Sequence, residues 1–412
     1  MRVRVGGGVR SVMRIGFLFN HDQVHQVAHS LPIALAMARA GLDLEIVVAT
    51  TNKRLSAEVI RLGGGEIGRS LRLVELSLSH PATIGLACAL EYLVPATKLL
   101  IYRDNLDFFR SLDALIVAEK TSLVLKTRYR LDDLKIIHTR HGAGDRAIGF
   151  DKASALFDHV LVSGSKIRER LIRETGLSSE RISVVGYPKF DVIDPRSGVH
   201  PLCNDGRPVV LYNPHVSPHL SSWYRWGRQI LDWFAEHDEY HLIFAPHVML
   251  FERPFVLTID RLRIDRPGHI DERYLRAPNI HIDLGSRAST TMAYTNRADI
   301  YLGDVSSQVY EFLLRPRPCL FLNAQGVDGE GDPNFTHWRT GPIVSDLTGF
   351  GEALEQAQTL HAELYRPIQQ QLFDHSFDLT DEPSSWRAAR AVAQLVGLTM
   401  GPALTDGQRA YG

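Results

Sequence analysis

Four short polar clusters each follow an apolar run, and they hold the residue types suited to moving a proton or holding an anion. They read HTRHGAGDR from His138 to Arg146, GYPKFD from Gly186 to Asp191, APHVML from Ala245 to Leu250 and GDVSSQVYEF from Gly303 to Phe312. In the first, strand side chains alternate, so His138 and Arg140 share one side and His141 faces the other. His141 stands immediately before Gly142, where the backbone can turn and a substrate can approach closely. An imidazole near its ordinary pKa takes a proton from an attacking hydroxyl, so His141 is a candidate general base. A polar surface turn is the plain alternative.

The last cluster offers different chemistry. Asp304 and the serine pair lie between an apolar strand and an amphipathic helix, where Ser306 or Ser307 is placed to cap. Free backbone N–H groups at a helix start favour an anion, and serine hydroxyls add donors. A simple cap and a phosphate cradle both fit these residues. His247 follows a strand and Pro246, which turns its ring toward the strand end, as a structural or a functional histidine. His215 and His219 flank Pro218, which spoils helical i,i+4 metal ligation. His21, His25 and His29 are spaced by four, but Pro32 favours a helix starting near Ser30, so these three read as a polar loop.

The surrounding elements are predicted to place these clusters at strand ends. RIGFLFN, DLEIVVAT, LRLVELSL, DALIVAEK, LKIIHTRHG, DHVLVSGS and RISVVGYP read as strands separated by helical patterns, the sign of parallel βαβ units. A segment rich in Pro, Gly and Asp, DVIDPRSGVHPLCNDGRP, reads as a linker. The pattern then restarts with PVVLYNPH, YHLIFAPH, NIHIDLG, ADIYLGD and PCLFLNA as strands. The expected fold class is α/β, with two facing doubly wound, Rossmann-like domains and a ligand cleft between them. Residues 1–195 form the acceptor-side domain, 205–375 the donor-binding domain, and 376–412 a C-terminal helix and loose tail. In open parallel sheets ligands lie beyond the carboxyl ends of the strands, where all four clusters fall.

Composition narrows the class. A chain of 412 residues exceeds one ordinary core, and a net charge of −1 argues against a basic nucleic-acid surface. Cys88, Cys203 and Cys319 are far apart and odd in number, which suits a reducing compartment. The start, MRVRVGGGVRSV, lacks the apolar run of a signal peptide, so Met13 is an alternative start and the residues before it a tail. Thr83–Ile101 is the most apolar stretch, but Glu91, Pro95 and Lys98 interrupt it. It reads as a buried helix, or as a face resting on a membrane, rather than a span.

The order of HG after a strand, DHVLVSGSKIRERL, RISVVGYPKFD, PVVLYNP, GDVSSQVYEFLLRPRPCLFLN and TGPIVSDL resembles the CDP-glycerol glycerophosphotransferases, which include teichoic-acid polymerases and primases of GT-B-like fold. The resemblance spans roughly residues 135 to 347; before that only the general architecture is similar. GYPKFD resembles a Gly-Tyr-Pro-Arg-Asn-Asp element of the family, and GDVSSQVYEF resembles its Thr-Asp-Tyr-Ser-Ser element with an aromatic–acidic pair. In the family's His-Gly-Thr-Pro element, His141 and Gly142 match, whereas Ala143 and Gly144 replace Thr-Pro and Asp145 follows.

The resemblance implies His141 as the catalytic base, and His247, Ser306, Ser307 and Gly142 as the donor-phosphate site. It implies Asp304, Glu311, Tyr187, Pro188, Asp191 and Asn213 as supporting residues. The implied reaction moves a glycerol phosphate, or a related polyol phosphate, from a CDP-linked donor to a hydroxyl acceptor such as a lipid-linked glycan, in cell-surface polymer synthesis. No P-loop or acidic cluster is evident, so neither a metal nor a cofactor is expected, and no nucleic-acid partner. The abundance of Arg over Lys fits a high-GC bacterial genome. The expected place is the cytoplasm, with peripheral contact at the inner face of the membrane. Two alternatives remain: a GT-B nucleotide-sugar glycosyltransferase or UDP-sugar 2-epimerase-like enzyme, and a non-catalytic nucleotide-binding protein.

Overall fold

The computed structural model describes residues 12–21, 23–90, 96–140, 142–146, 149–193, 205–252, 254–258 and 263–403. The chain divides into two units. Unit 1 comprises 1–142, 150–192 and 377–412; unit 2 comprises 143–149 and 193–376.

Unit 1 is built on seven strands: β1 (Met13–Phe19), β2 (Leu44–Thr50), β3 (Leu71–Glu75), β4 (Ala114–Val117), β5 (Lys135–Thr139), β6 (His159–Val162) and β7 (Ile182–Val184). They lie in the order β3-β2-β1-β4-β5-β6-β7, and every pairing is parallel. Helices cover both faces, so the central strands are apolar on both sides, as a parallel sheet requires. Ile15, Phe17 and Phe19 of β1 enter one core, and Leu18 enters the other with Leu115, Val117, Ile136 and Val160. The helix Ser384–Leu395 closes the first core by setting Ala388, Ala389, Val392 and Ala393 against the helix Val27–Arg39.

Two local expectations are corrected here. The helix after β1 begins at Val27, not near Ser30, and holds Pro32 inside it. Pro32 sits in the second turn, where its missing N–H costs a single hydrogen bond to the Ala28 carbonyl. His29 is therefore buried in that helix rather than in a loop, with its ring 5.4 Å from that of Tyr187, and His21 is buried as well. The apolar stretch 83–101 is not wholly buried. Its described residues lie in the helices Pro81–Leu90 and Ala96–Asp104, on which Ile84, Leu86 and Leu99 are exposed, and residues 91–95 lie outside the described residues. No helix among the described residues is long and apolar enough to cross a membrane.

Unit 2 carries β8 (Val209–Asn213), β9 (His241–Phe244), β10 (Val256–Thr258), β11 (Arg263–Asp265), β12 (Ile280–Ile282), β13 (Ile300–Gly303), β14 (Cys319–Leu322) and β15 (Ile343–Val344). Six form a parallel sheet in the order β12-β9-β8-β13-β14-β15, and β10 and β11 pair as an antiparallel hairpin. The core on one face joins Val210, Tyr212, Leu242, Phe244 and Leu302 of the strands to Trp223, Ile230 and Phe234 of the helix Trp223–Glu236. Much of the proposed linker, residues 194–204, lies outside the described residues.

Candidate active site

Strands β8 and β9 are adjacent, parallel and paired Tyr212 with Phe244. Both then run into Pro-His, at Pro214-His215 and Pro246-His247. Equal register therefore sets the two imidazoles side by side, with ring centroids 5.7 Å apart. The His247 N–H donates to the Pro214 carbonyl at 3.0 Å, which ties the two strand ends together. Asn213 braces the same point: its Nδ2 donates to the Ala245 carbonyl at 2.6 Å.

The strand on the other side of β8, β13, ends at Gly303 and is followed by Asp304, which is fully buried. Its carboxylate accepts four hydrogen bonds, from the N–H of His215 (2.8 Å), the N–H and Oγ of Ser222 (2.7 and 2.9 Å) and the N–H of Val305 (2.7 Å). Burial pushes its pKa up to about 6, against the pull of these donors. The carboxylate is thus ionised in neutral solution, fixing the loop after β8 to the end of β13. This is a structural part, played by a residue at the strand-end position expected of it.

The serines that follow divide the work. Ser307 is the N-cap residue of the helix Gln308–Phe312 and makes no side-chain cap bond, while Ser306 Oγ accepts the Gln308 N–H at 3.3 Å. Ser307 is exposed, Ser306 is buried, and Glu311 is buried in the same short helix.

The tail of HTRHGAGDR belongs to unit 2. Gly144 packs on Ser307: a Cβ at 144 would stand 2.9 Å from the Ser307 Cβ, so a larger residue forces one of them to move. Asp145 is buried, and its Oδ2 accepts from Tyr310 Oη (2.5 Å), the His337 N–H (3.2 Å) and His337 Nδ1 (3.0 Å). His337 Nε2 in turn lies 3.0 Å from the Asp304 carbonyl, which accepts Trp338 Nε1 at 3.0 Å. The segment Ala143–Gly144–Asp145, where the family resemblance breaks, is therefore an anchor into the GDVSSQVYEF turn.

Arg146 follows directly. Its Nη1 lies 3.1 Å from His215 Nε2. Burial, and then the Arg146 charge, holds the pKa of His215 well below its ordinary value and that of His247 at about 4. Both rings are neutral in ordinary buffer, and each accepts a backbone N–H at Nδ1: Ser217 on His215 (2.9 Å) and Met249 on His247 (3.3 Å). A neutral imidazole that accepts at Nδ1 carries its proton at Nε2. The strand ends of unit 2 thus present two imidazole N–H groups and one guanidinium.

The other expected site residues lie in unit 1 or outside the described set. His141 is outside it. Gly142 ends the first part of unit 1 with φ of +144°, a conformation glycine tolerates. Tyr187 packs against Phe190 and Phe377, and Pro188 is buried beside it. Asp191 accepts the N–H groups of Ser384 (3.3 Å) and Ser385 (2.6 Å), capping the helix Ser384–Leu395. These three brace the inside of unit 1. His138 is also absorbed by packing, stacked on Phe157 at 4.4 Å with Nε2 on the Ala118 carbonyl. Among the described residues no group of three or more His, Cys, Asp or Glu side chains is arranged to hold a metal.

Sequence reasoning passed over Arg146, Asp145 and His337, and weighed His215 only as a metal ligand. The repeated Pro-His at the ends of two neighbouring strands was the available signal for His215. Nothing in the periodicity marks Arg146 as part of unit 2.

No family model matches the chain, and no curated protein sequence matches it. Solved structures do. The wall teichoic acid polymerase TagF has a TM-score of 0.57 at 15% identity, over 93% of this chain and 88% of that one. A putative UDP-N-acetylglucosamine 2-epimerase from Listeria monocytogenes has a TM-score of 0.56 at 12% identity, over 93% and 96%. The glycotransferase of kitacinnamycin has the same TM-score and identity, over 93% and 99%. Such likeness establishes the fold, two Rossmann-like units of the GT-B kind with seven- and six-stranded parallel sheets.

Proposed function

We propose that this chain is an enzyme that transfers a glycerol phosphate, or a related polyol phosphate, from a CDP-linked donor to a hydroxyl acceptor in the synthesis of a cell-surface polymer. The observation that carries this reading is that His247 after β9 and the Asp304–Ser306–Ser307 turn after β13 flank the end of β8 in the one sheet of unit 2. The motif order of the CDP-glycerol family and the fold shared with a wall teichoic acid polymerase support it.

In the proposed reaction the acceptor oxygen attacks the donor's β-phosphorus as His141 takes its proton. The bond from that phosphorus to the bridging oxygen breaks, and its electron pair leaves with CMP. His247, Ser306, Ser307 and backbone N–H groups stabilise the charge that grows on the phosphoryl oxygens. Gly142 gives the donor room beside the base, and Asp304, Asn213 and Glu311 hold the loops. Tyr187, Pro188 and Asp191 act at one remove, through the packing of unit 1. The acceptor is a glycan or polyol phosphate bearing a hydroxyl, lipid-linked where exposed Ile84, Leu86 and Leu99 rest on the inner face of a membrane.

The likeness to a UDP-N-acetylglucosamine epimerase favours a second reading, chemistry on a UDP-sugar. A panel of CDP-glycerol, CDP-ribitol and UDP-sugars separates the two. The proposal expects CMP release from a CDP-polyol, abolished by His141→Ala. Turnover with UDP-sugars alone rejects it in favour of the second reading. Donor binding with no product from either the wild type or His141→Ala indicates a non-catalytic nucleotide-binding protein.

A further inference from the structure

The turn that carries Ser306 and Ser307 does not hold itself in place. The helix after it, Gln308–Phe312, is five residues long, and so short a helix is marginal unless other parts of the chain support it. Ser307 gives it no side-chain cap bond, and Ser306 Oγ reaches the Gln308 N–H only at 3.3 Å. The turn therefore takes its position from its surroundings.

Those surroundings meet it at both ends. Before the serines, the Asp304 carbonyl accepts Trp338 Nε1 at 3.0 Å, with His337 Nε2 3.0 Å from the same oxygen. After them, Tyr310 Oη donates to Asp145 Oδ2 at 2.5 Å. One pair of side chains joins these two points: Asp145 Oδ2 also accepts the His337 N–H at 3.2 Å and His337 Nδ1 at 3.0 Å. Both side chains of the pair are 3% exposed. Away from water, a hydrogen bond to a carboxylate is stronger than at the surface. Between the two ends Gly144 lies on Ser307, where an added Cβ would stand 2.9 Å from the Ser307 Cβ. One short segment thus touches the middle and the far end of the turn, and its partner His337 touches the near end.

We infer that Gly144, Asp145 and His337 are positioning residues that set where the Ser306 and Ser307 hydroxyls stand. Their effect on turnover rests on the transferase reading, in which those hydroxyls meet the donor phosphates. The hold on the turn rests on the contacts alone. Misplacing a hydrogen-bond donor by about 1 Å can cost about a hundredfold in rate while the protein stays folded. The segment 143–145, close against the turn, is then a device for catalytic geometry as well as for stability.

The test pairs amide hydrogen exchange with steady-state kinetics on the full chain, comparing wild type with Gly144→Ala, His337→Gln and Tyr310→Phe. Tyr310→Phe keeps the ring and removes only the bond to Asp145, so it serves where the others fail to fold. Asn279→Ala is the control, since it removes buried donors to the Phe234 and Tyr240 carbonyls at the amino ends of the strands. Thermal melts show what each change costs the fold as a whole. The Val305 and Gln308 N–H groups are expected to exchange about fivefold faster or more in the three variants, and to stay protected in the control. The kcat for CMP release from CDP-glycerol is expected to fall about tenfold in the variants with little change in KM, while the control keeps the wild-type kcat. Exchange at the turn that follows only the overall loss of stability, as in the control, overturns the inference. So does faster exchange with an unaltered kcat. If exchange quickens and wild-type protein releases no CMP, the hold on the turn stands and the transferase reading fails. If CMP is released and exchange at the turn is unaltered, the transferase reading stands and the inference fails.

Discussion

Two buried histidines of unit 2 touch the same residue and end in opposite situations. His337 gives its Nδ1 proton to the Asp145 carboxylate, and the Asp304 carbonyl near its Nε2 is met by Trp338 Nε1. His215 faces donors with both, the Ser217 N–H and the Arg146 guanidinium, while its backbone N–H reaches the Asp304 carboxylate. A buried polar group that has found its partners contributes to the fold, and one left facing its own kind costs free energy unless something else completes it. His337 is therefore read as part of the framework, and His215 as a ring held between two donors. His138 in unit 1 falls on the framework side, with its ring stacked and its Nε2 on a carbonyl.

The largest effect is expected at the residue both histidines share. Asp304→Ala removes the acceptor of four hydrogen bonds in a fully buried place, and should lower the unfolding free energy by about 3 kcal/mol or more. Urea unfolding measures it, and a loss under about 1 kcal/mol would show that the knot at the end of β13 is not structural.

The paired substitutions His337→Asn and His215→Asn test the contrast itself. The first removes one of the donors to Asp145 Oδ2 in a buried place and should cost about 2 kcal/mol. The second keeps the Ser217 bond and removes a donor–donor opposition, so it should stay within about 1 kcal/mol of wild type. Equal losses from the two would erase the distinction between the two rings.

The fold was largely legible because parallel sheets buried on both faces leave long apolar runs separated by amphipathic helices. The two Pro-His endings were visible in the sequence but were not read as a pair, because apolar patterns do not say that β8 and β9 lie side by side in equal register. What the pattern concealed was the allegiance of residues 143–149. Apolar periodicity reports strands and helices, and it carries no signal for which core a glycine-rich loop will join. That choice is made by Gly144 fitting beside Ser307 and by Asp145 finding Tyr310 and His337, all distant in sequence. Likewise Pro32 suggested a later helix start, because a proline in the second turn costs less than its reputation as a helix breaker implies. Tyr187 and Asp191 were read as supporting residues, and the neighbours they support, Phe377 and the start of the helix Ser384–Leu395, come from a segment far along the chain.

A gentler perturbation is pH. The folded-state pKa of His247 is about 4, lowered by burial and then by Arg146, and that of His159 is about 4, lowered by burial and then by Arg181, against an ordinary 6.5. Between these values the unfolded chain binds more protons than the folded one, so this contribution to stability is complete above pH 6.5 and is lost as pH falls through 4. Urea midpoints should decline gradually over that window. His247→Gln should flatten the decline, and an unaltered slope in that variant would place His247 in a more solvated setting.

The most direct test of the account is a crystal structure of the full chain soaked with CDP-glycerol. It predicts diphosphate oxygens within about 3 Å of His247 Nε2, with the Ser306 and Ser307 hydroxyls adjoining. A donor bound with its phosphates elsewhere would contradict it.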